Sequence, residues 1–325
     1  MEFAEHVSWF DQSTHRNKSW QRTKANDKML LQFTEDEFMR LGLSHCGFSD
    51  ETINRLSADA RLDGFMDKCY VPPSICSTIY HDIQTDNCVN KIVKPKPLHL
   101  LLALFYLKKY PTGLDVAGFL DSCENTALAH SKGHAQAIEG LFDYKIKWIF
   151  DNPDLHPETY IISVDGVHCR IQEPRIDPSS KWYSKKFNQA GLAYEVAAAI
   201  WHDKIVWVNG PFPCGENDWK IFAKEGGLLS RIPEGKKAVA DKAYRYKREV
   251  VSASNNQDSA EVVKFKGRVS ARHETIYSRV KTFKILEEEF RSTGNTRLEK
   301  HQVVFRACIT LIQYELDNGR PLFKV

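Results

Sequence analysis

The stretch Tyr160-Ile161-Ile162-Ser163-Val164-Asp165 sets the fold of the second half of this chain. Uncharged residues run up to an aspartate, which is typical of a short buried strand that opens into a site at its end. The run Lys237-Ala238-Val239-Ala240-Asp241 has the same form. We therefore predict two buried strands, over residues 160–165 and 237–241, that end at Asp165 and Asp241.

Two further acids, Glu274 and Asp218, lie on predicted helices that could bring them close to Asp165 and Asp241. Glu274 lies in a helix predicted over residues 269–290, and Asp218 lies at the start of a helix predicted over residues 217–229. Carboxylates carried on strand ends and helices can converge on hard divalent cations such as Mg²⁺, which takes oxygen ligands. Two such ions can clamp the attacking and leaving oxygens of a phosphodiester.

Each acid also has an ordinary structural interpretation. Asp165 before Gly166 is common turn chemistry, and Asp218 after Asn217 could serve only as a helix N-cap. Asp241 could form an ion pair at a strand end, and Glu274 could be a solvated helix residue. The case for a site depends on the four acids taken together.

The order of the predicted elements indicates the fold class. Apolar or β-branched runs at residues 168–172, 192–201 and 204–209 follow the first strand, and the last two read as a hairpin. A helix, a further strand and late helices come next, which predicts an α+β or α/β mixed sheet flanked by helices. In a ribonuclease-H-like layout, one acid lies on the central first strand, a second at the end of the neighbouring fourth strand, and a third on a late helix.

Asp165, Asp241 and Glu274 fit these three places. Asp218 is left with three roles, which are to bind metal, to hold a ligand water or to cap its helix.

The first half of the chain is predicted to contain a polar arm and helices, with no strands. Residues 1–30 are polar and are predicted as a disordered arm, and residues 31–150 as a helical domain. Helices predicted over residues 98–110, 116–120 and 125–142 could form a helix-turn-helix-like unit that docks on DNA. The alternative is a small helical bundle with only a packing role. Residues 151–325 then form the domain that carries the acids.

Composition narrows the function classes only moderately. The chain has 325 residues and a formal net charge of +3, which by itself does not argue for a nucleic-acid partner. Its eight cysteines are scattered without a Cys-x-x-Cys pair, as expected for reduced thiols. No apolar stretch approaches the roughly 18 residues of a membrane span, and no signal peptide is evident, so we expect an intracellular soluble protein.

Four motifs in a fixed order resemble the DDE-superfamily endonucleases of PIF/Harbinger-type transposases (DDE transposase 4-like). They are Val164-Asp165-Gly166-Val167-His168, the segment Gly210–Gly215 leading to Asp218, Ala240-Asp241-Lys242-Ala243-Tyr244, and Arg272–Lys281 around Glu274. The resemblance spans about residues 157–316. It departs from the family where Lys242 replaces a small residue and where Glu216-Asn217 precede Asp218.

The resemblance implies a ribonuclease-H-like nuclease that uses Mg²⁺ or Mn²⁺ to cleave double-stranded DNA and transfer its strands. Asp165 matches the first metal-binding aspartate and Glu274 the closing glutamate. The motif order favours Asp218 as the second aspartate, whereas the strand argument favours Asp241, so both are kept as catalytic and metal-binding candidates.

The resemblance also implies a nuclear location, a separate DNA-binding partner protein and a possible homo-oligomer, with no membrane association. Two other functions stay open. The first is a domesticated DNA-binding protein that keeps the fold but has lost cleavage. The second is an unrelated hydrolase with two carboxylates as acid and base.

Basic residues are concentrated in the second half of the chain, among aromatic side chains, which suits a groove that follows a phosphate backbone. The solvated surface of an ordinary globular domain is the alternative. The residues are Lys181, Lys185, Lys186, Arg245, Lys247, Arg248, Lys264, Lys266, Arg268, Arg272, Arg279 and Lys281.

Overall fold

A computed structural model describes residues 32–86, 88–174, 179–244, 250–252, 258–292 and 294–325. The polar arm predicted for residues 1–30 lies outside these ranges. None of the helices in the described ranges is both long enough and apolar enough to cross a bilayer.

The first half of the chain is helical, as predicted. Its helices are α1 (Glu35–His45), α2 (Asp50–Arg55), α3 (Ala58–Lys68), α4 (Pro73–Thr85), α5 (Pro97–Lys109), α6 (Gly113–Leu120), α7 (Glu124–Gly140) and α8 (Phe142–Lys145). Local sequence sets their ends. Thr34 and Glu37 form a capping box at α1, in which the Thr34 Oγ1 accepts from the Glu37 N–H at 3.3 Å.

The helix predicted over residues 125–142 is wrong at its end. Leu141 breaks the segment into α7 and the short α8, because its backbone closes α7 with bonds to the Ile138 and Glu139 carbonyls. By contrast, α5 matches its predicted range closely. Its central residues are buried on all sides, which agrees with an apolar run that has no polar face.

A mixed sheet follows. Its strands are β1 (Tyr160–Arg170), β2 (Tyr183–Ser184), β3 (Gln189–Ala199), β4 (Ile205–Pro213), β5 (Lys237–Ala240) and β6 (Val250–Ser252). The main strands lie in the order β4-β3-β1-β5-β6, and β2 pairs with the start of β3. The first three run antiparallel, whereas β5 lies parallel to β1 and β6 parallel to β5.

The predictions for β1 and for the hairpin of β3 and β4 had different outcomes. Residues 160–165 and 168–172 were expected as separate strands but form one long strand, because Asp165 and Gly166 stay extended and pair with Val196 and Glu195 on β3. The predicted hairpin of residues 192–201 and 204–209 is present as β3 and β4, joined around His202 and Asp203.

The remaining helices are α9 (Ser179–Trp182), α10 (Asp218–Phe222), α11 (Ala260–Lys281), α12 (Lys284–Glu287) and α13 (Arg297–Asp317). The helix predicted over residues 217–229 is therefore wrong in length, since α10 ends at Phe222. The helix predicted over residues 269–290 is also misplaced. It begins at Ala260, where Ser259 caps it, and it ends at Lys281 before α12.

The two faces of the sheet are covered by different helices. On one face, Tyr194 of β3 stacks on Phe305 of α13 at 3.7 Å between ring centroids, and Ser163 of β1 contacts His273 of α11 at 2.7 Å. On the other face, Val164 and Ala197 share a core with Phe222 of α10. We call these the α11 face and the α10 face.

The helical half of the chain packs into the same core as the sheet. The largest cluster of buried side chains runs from Phe38 and Leu101 through Ile309 of α13 to Val196 of β3. Buried polar contacts reinforce this junction, because the Tyr70 hydroxyl donates to Glu315 and the Tyr314 hydroxyl donates to Asp82 at 2.6 Å.

Candidate active site

A notch in the sheet brings Asp165 and Asp241 together. β1 and β5 pair from Tyr160 only as far as Ser163 with Val239, whereas β1 continues to Arg170, whose carbonyl accepts from the Phe290 N–H at 3.0 Å. Asp165 and Asp241 lie two residues beyond this last pair, one on each chain segment. Neighbouring strands lie about 4.8 Å apart, and Asp241, which directly follows the end of β5, is near enough to Asp165 for its charge to raise the pKa of that carboxyl.

The environment of Asp165 is unfavourable to its negative charge. Its side chain is partly buried, and its Oδ1 accepts one bond from the Gly166 N–H at 2.7 Å. Burial raises the pKa of Asp165 to about 6, and the neighbouring carboxylates of Asp241 and Asp218 add to the rise. The Gly166 bond and the Lys186 ammonium act in the opposite direction.

Asp218 reaches this place from the α10 face. The N-cap of α10 is Asn217, whose Oδ1 accepts from the Trp219 N–H at 2.9 Å, so the interpretation of Asp218 as a mere N-cap is wrong. Its Oδ1 lies 3.1 Å from where a Cβ on Gly166 would be, so the missing side chain of Gly166 leaves room for the Asp218 carboxylate. Burial raises the pKa of Asp218, and the Asp241 charge raises it further.

Glu274 lies on α11, as predicted, and is exposed. One turn later Tyr277 is buried, and its hydroxyl has no hydrogen-bond partner among the described residues. Burial raises the pKa of Tyr277 well above its usual range, and the charges of Asp165 and Glu274 contribute to this rise. Tyr277 is therefore a buried polar group of α11 on which the charges of both carboxylates act.

The four candidate acids do not form a complete metal-binding site in this structure. Within the described ranges, no three Asp, Glu, His or Cys side chains are placed so that they could hold an ion. Asp241 is exposed, and its Oδ1 accepts from the Ala243 N–H at 2.7 Å. The charges of Asp165, Asp218 and Asp241 nevertheless act on one another, and a group of carboxylate oxygens at one place suits a hard divalent cation.

Glu195 is an acid that sequence reasoning missed. It lies opposite Gly166 on β3 and is 2% exposed. Its Oε1 accepts from the Trp207 Nε1–H at 3.0 Å, and its Oε2 has no partner in the described structure. Burial raises its pKa to about 8, and the Asp218 charge adds to the shift.

A tight cavity joins Glu195 to Asp218, Gly166 and Tyr244. The signal in the sequence was a single glutamate inside the apolar run Leu192–Ile200. An unpaired charge is rare in a buried strand, so this residue could have been marked as a site candidate.

The basic residues do not all face solvent. Lys266 is 1% exposed and paired with Asp258, and Arg272 is 4% exposed and bonded to backbone carbonyls, so their prediction as phosphate contacts is wrong. Arg279 is only partly exposed and donates to the Arg320 carbonyl. Residues 245–249 lie outside the described ranges. The exposed members are Lys185, Lys186, Lys264, Arg268 and Lys281.

Comparison with known proteins supports the resemblance at the level of the superfamily. Residues 164–313 match the family model described as DDE superfamily endonuclease, and this range contains all four candidate acids. No curated protein and no solved structure matches the chain. The predicted likeness to DDE-superfamily endonucleases is thus confirmed, and the PIF/Harbinger subtype stays a prediction.

Proposed function

We propose that this chain is a divalent-metal-dependent DNA endonuclease of the transposase type, whose active site is formed by Asp165, Asp241, Glu274 and Asp218. The observation that carries the proposal is the convergence of three carboxylates near the end of β5, where the charges of Asp241 and Asp218 act on Asp165. The match of residues 164–313 to DDE superfamily endonucleases supports the reaction class.

The strand order supports a ribonuclease-H-like assignment for this part of the chain. β1 is central, an antiparallel meander of β3 and β4 lies on one side, and the parallel β5 and β6 lie on the other. The first acid is then on the central strand, the second after its parallel neighbour and the third on a late helix. This is the layout that the sequence led us to expect.

The two faces of the sheet favour Asp241 over Asp218 as the second aspartate. Val239, two residues before Asp241, packs with Val269 of α11, which favours a place for Asp241 on the face of Asp165 and of the helix that carries Glu274. Asp218 comes from the α10 face across Gly166. We therefore propose Asp165, Asp241 and Glu274 as the principal ligands, with Asp218 as a supporting carboxylate.

The residues present fit Mg²⁺ or Mn²⁺ by the chemistry of their donors. A pair of such ions supplies Lewis-acid chemistry when bound, by lowering the pKa of a water and stabilising the leaving 3′ oxygen. Asp165 and Asp241 would hold this charge at the notch, and Glu274 would close the site from α11. Tyr277 and the apolar residues behind it would exclude water from the buried side.

Double-stranded DNA is the substrate that this proposal requires. A nuclear location, a separate DNA-binding partner protein, a homo-oligomer and a helix-turn-helix role for the first half of the chain belong to the same proposal. An alternative is a domesticated DNA-binding protein without cleavage. It is favoured by one departure, the Lys242 that follows Asp241, since a lysine there would oppose cation binding.

A nicking assay on supercoiled DNA with Mg²⁺ or Mn²⁺ tests the proposal. We expect Asp165→Ala, Asp241→Ala and Glu274→Ala each to lower cleavage by at least about 100-fold, since each removes charge from the ion site. Asp218→Ala should cost less. Glu261→Ala is the matched control, because Glu261 is an exposed acid on the first turn of the same helix.

The two functions give different results in this assay. Cleavage that requires metal and disappears in the three variants supports the nuclease. DNA binding by a wild-type chain that neither cleaves DNA nor binds Mn²⁺ supports the alternative. Equal cleavage by wild type and Asp165→Ala would remove the enzymatic assignment.

A further inference from the structure

A buried hydrogen bond joins β1 to α11, the two elements that carry Asp165 and Glu274. The Oγ of Ser163 on β1 lies 2.7 Å from the Nδ1 of His273 on α11, and each of these two residues is 4% exposed. Solvent therefore does not compete for this bond, and its short length requires the strand and the helix to meet at one place.

The bond lies close to both acids along the chain. Ser163 precedes Asp165 by two residues on β1, so the two side chains share a face of the sheet, about 6.6 Å apart along the strand. His273 directly precedes Glu274 on α11, and one residue advances a helix by only about 1.5 Å. The bond therefore fixes how far α11 extends along β1 next to both carboxylates.

The packing around this bond is apolar and would not by itself set that position sharply. Val269 of α11 lies in one buried cluster with Ile200 and Val239 of the sheet region. Apolar burial has no directional preference, so such a contact tolerates small shifts of a helix over a sheet. A hydrogen bond depends on both distance and angle, and it distinguishes one register from its neighbours.

The position of Glu274 depends on the helix alone. Its carboxylate is exposed, and no residue in the described part of the chain bonds to it. The Asp165 carboxylate accepts from the N–H of Gly166, the next residue of β1, so it follows the strand. A shift of α11 along β1 therefore changes the separation of the two acids directly.

We propose that Ser163 and His273 are positioning residues, whose hydrogen bond holds α11 in the register on β1 that brings Glu274 to the same ions as Asp165. This inference rests on the proposed nuclease function. Neither residue contacts the ions or the DNA, and both act through the two acids. Displacement of a reacting group by about 1 Å can lower a rate about 100-fold, so a small shift of the helix is enough to slow cleavage.

Ser163→Ala removes the bond, and Tyr194→Phe is the matched control. The Tyr194 hydroxyl lies 2.8 Å from the Nδ1 of His301, in an equally buried contact that joins β3 to α13, and neither of these elements carries one of the four candidate acids. Both variants should shift the midpoint of urea unfolding by a similar amount.

The two variants should differ in cleavage. Ser163→Ala should lower the rate at saturating Mg²⁺ by about 10-fold or more and weaken Mn²⁺ binding several-fold in calorimetry, with an unchanged KM for DNA. Tyr194→Phe should keep the wild-type values. Ser163→Thr keeps the hydroxyl and should restore part of the cleavage, and Ser163→Cys, whose thiol is a weak partner, should give an intermediate rate.

Hydrogen exchange supplies a measurement that does not depend on cleavage. Ser163→Ala should exchange the amides of residues 260–281 about 10-fold faster than Tyr194→Phe, because α11 opens locally more often. The proposal is overturned if either the cleavage or the α11 exchange of Ser163→Ala equals that of Tyr194→Phe. A wild-type chain that neither cleaves DNA nor binds Mn²⁺ overturns the nuclease function instead, and hydrogen exchange then decides whether the bond holds α11 on β1.

Discussion

Glu195 has the most unusual environment of any single carboxyl in the described sheet. It is enclosed by β1, β4 and Tyr244, and only its bond from Trp207 compensates for the loss of water. An ionised carboxylate in such a place is costly, so the proton is retained to a pKa of about 8. Near neutral pH, Glu195 is therefore a neutral acid in the same cavity as Asp218.

This environment predicts a dependence of stability on pH. The folded chain keeps the Glu195 proton up to about pH 8, whereas a glutamate in the unfolded chain releases it near its ordinary pKa of 4.5. The native state then binds more protons between these values, and the free energy of unfolding falls as pH rises through this window. The buried His273 and Asp165 also make stability depend on pH, because their folded pKa values lie near 3 and 6, but these contributions are common to the wild type and to a variant at Glu195 and cancel when the two are compared.

We predict that Glu195→Gln removes this dependence. Between about pH 6.5 and pH 8 the wild type should lose roughly 1–2 kcal/mol more than the variant, as measured by urea unfolding at several pH values. Glu225→Gln, at an exposed glutamate, should behave like wild type. Parallel pH profiles for wild type and Glu195→Gln would mean that Glu195 is already ionised in the folded chain.

At the level of the element, α11 positions Glu274 through polar anchors as well as packing. Arg272 donates to the carbonyls of Ala199 at 2.6 Å and His202 at 2.8 Å, and to the Asp203 carboxylate at 3.0 Å. It also donates to the Phe323 carbonyl at 3.0 Å. One guanidinium therefore ties the helix to the end of β3 and to the C-terminal segment, two residues before Glu274.

We predict that Arg272→Ala lowers the free energy of unfolding by about 3–5 kcal/mol, because buried acceptors lose their donor. Cleavage should fall as well, since Glu274 loses its fixed position. Arg272→Lys should recover only part of the loss, because an ammonium cannot reproduce the fork of a guanidinium. Urea unfolding measures the first effect and the nicking assay the second.

Arg268 is the control for this prediction. It lies one turn earlier on α11, is exposed and donates to the Lys324 carbonyl. Its replacement by alanine should cost less than about 1 kcal/mol. A loss for Arg272→Ala as small as that for Arg268→Ala would show that packing alone holds the helix.

At the level of the whole molecule, the helical first half and the sheet are joined by one core. α13 is buried along most of its length, with helices of the first half on one side and β3 and β4 on the other. The buried Glu315 accepts from Tyr70 and pairs with Arg320, so its charge is compensated across this junction. Separation of the halves would expose all of these groups.

We therefore predict that the helical first half and the sheet unfold together in a single cooperative transition. With Trp9 and Trp20 replaced by phenylalanine, five tryptophans remain: Trp182, Trp201, Trp207 and Trp219 lie in the part of the chain that carries the sheet, and Trp148 packs against its core, so their fluorescence reports on the sheet. Far-UV circular dichroism is dominated by the helices, which include the whole first half. The two signals should give the same midpoint in a urea titration.

Two transitions with different midpoints would contradict this expectation. They would show that the helical half and the sheet unfold as separate units despite their shared core. Tyr70→Phe is an informative variant here, because it removes the buried bond to Glu315 while keeping the ring that packs on Phe283 at 4.1 Å. It should shift both midpoints together, with a loss of about 1–2 kcal/mol in the free energy of unfolding.

Strong local signals in the chain were enough to specify several elements. The capped start of α1 at Thr34, the apolar α5, the hairpin of β3 and β4, and the strand before Asp241 all follow from the period of their apolar residues and from their capping or turn residues. The superfamily resemblance, carried by motifs in a fixed order, was also readable in the chain. The signals for each element lie within about ten residues of one another, where local geometry fixes the outcome.

Which charged side chains lie inside follows only from the tertiary contacts. Lys266 and Arg272 look like surface residues in the sequence, yet each is buried in the folded chain. The convergence of Asp165, Asp218 and Asp241, whose charges act on one another, also depends on the tertiary structure. No local pattern encodes it, because the three residues lie on elements that are far apart in the chain and are brought together by the pairing of β1 with β5 and the packing of α10 on the sheet.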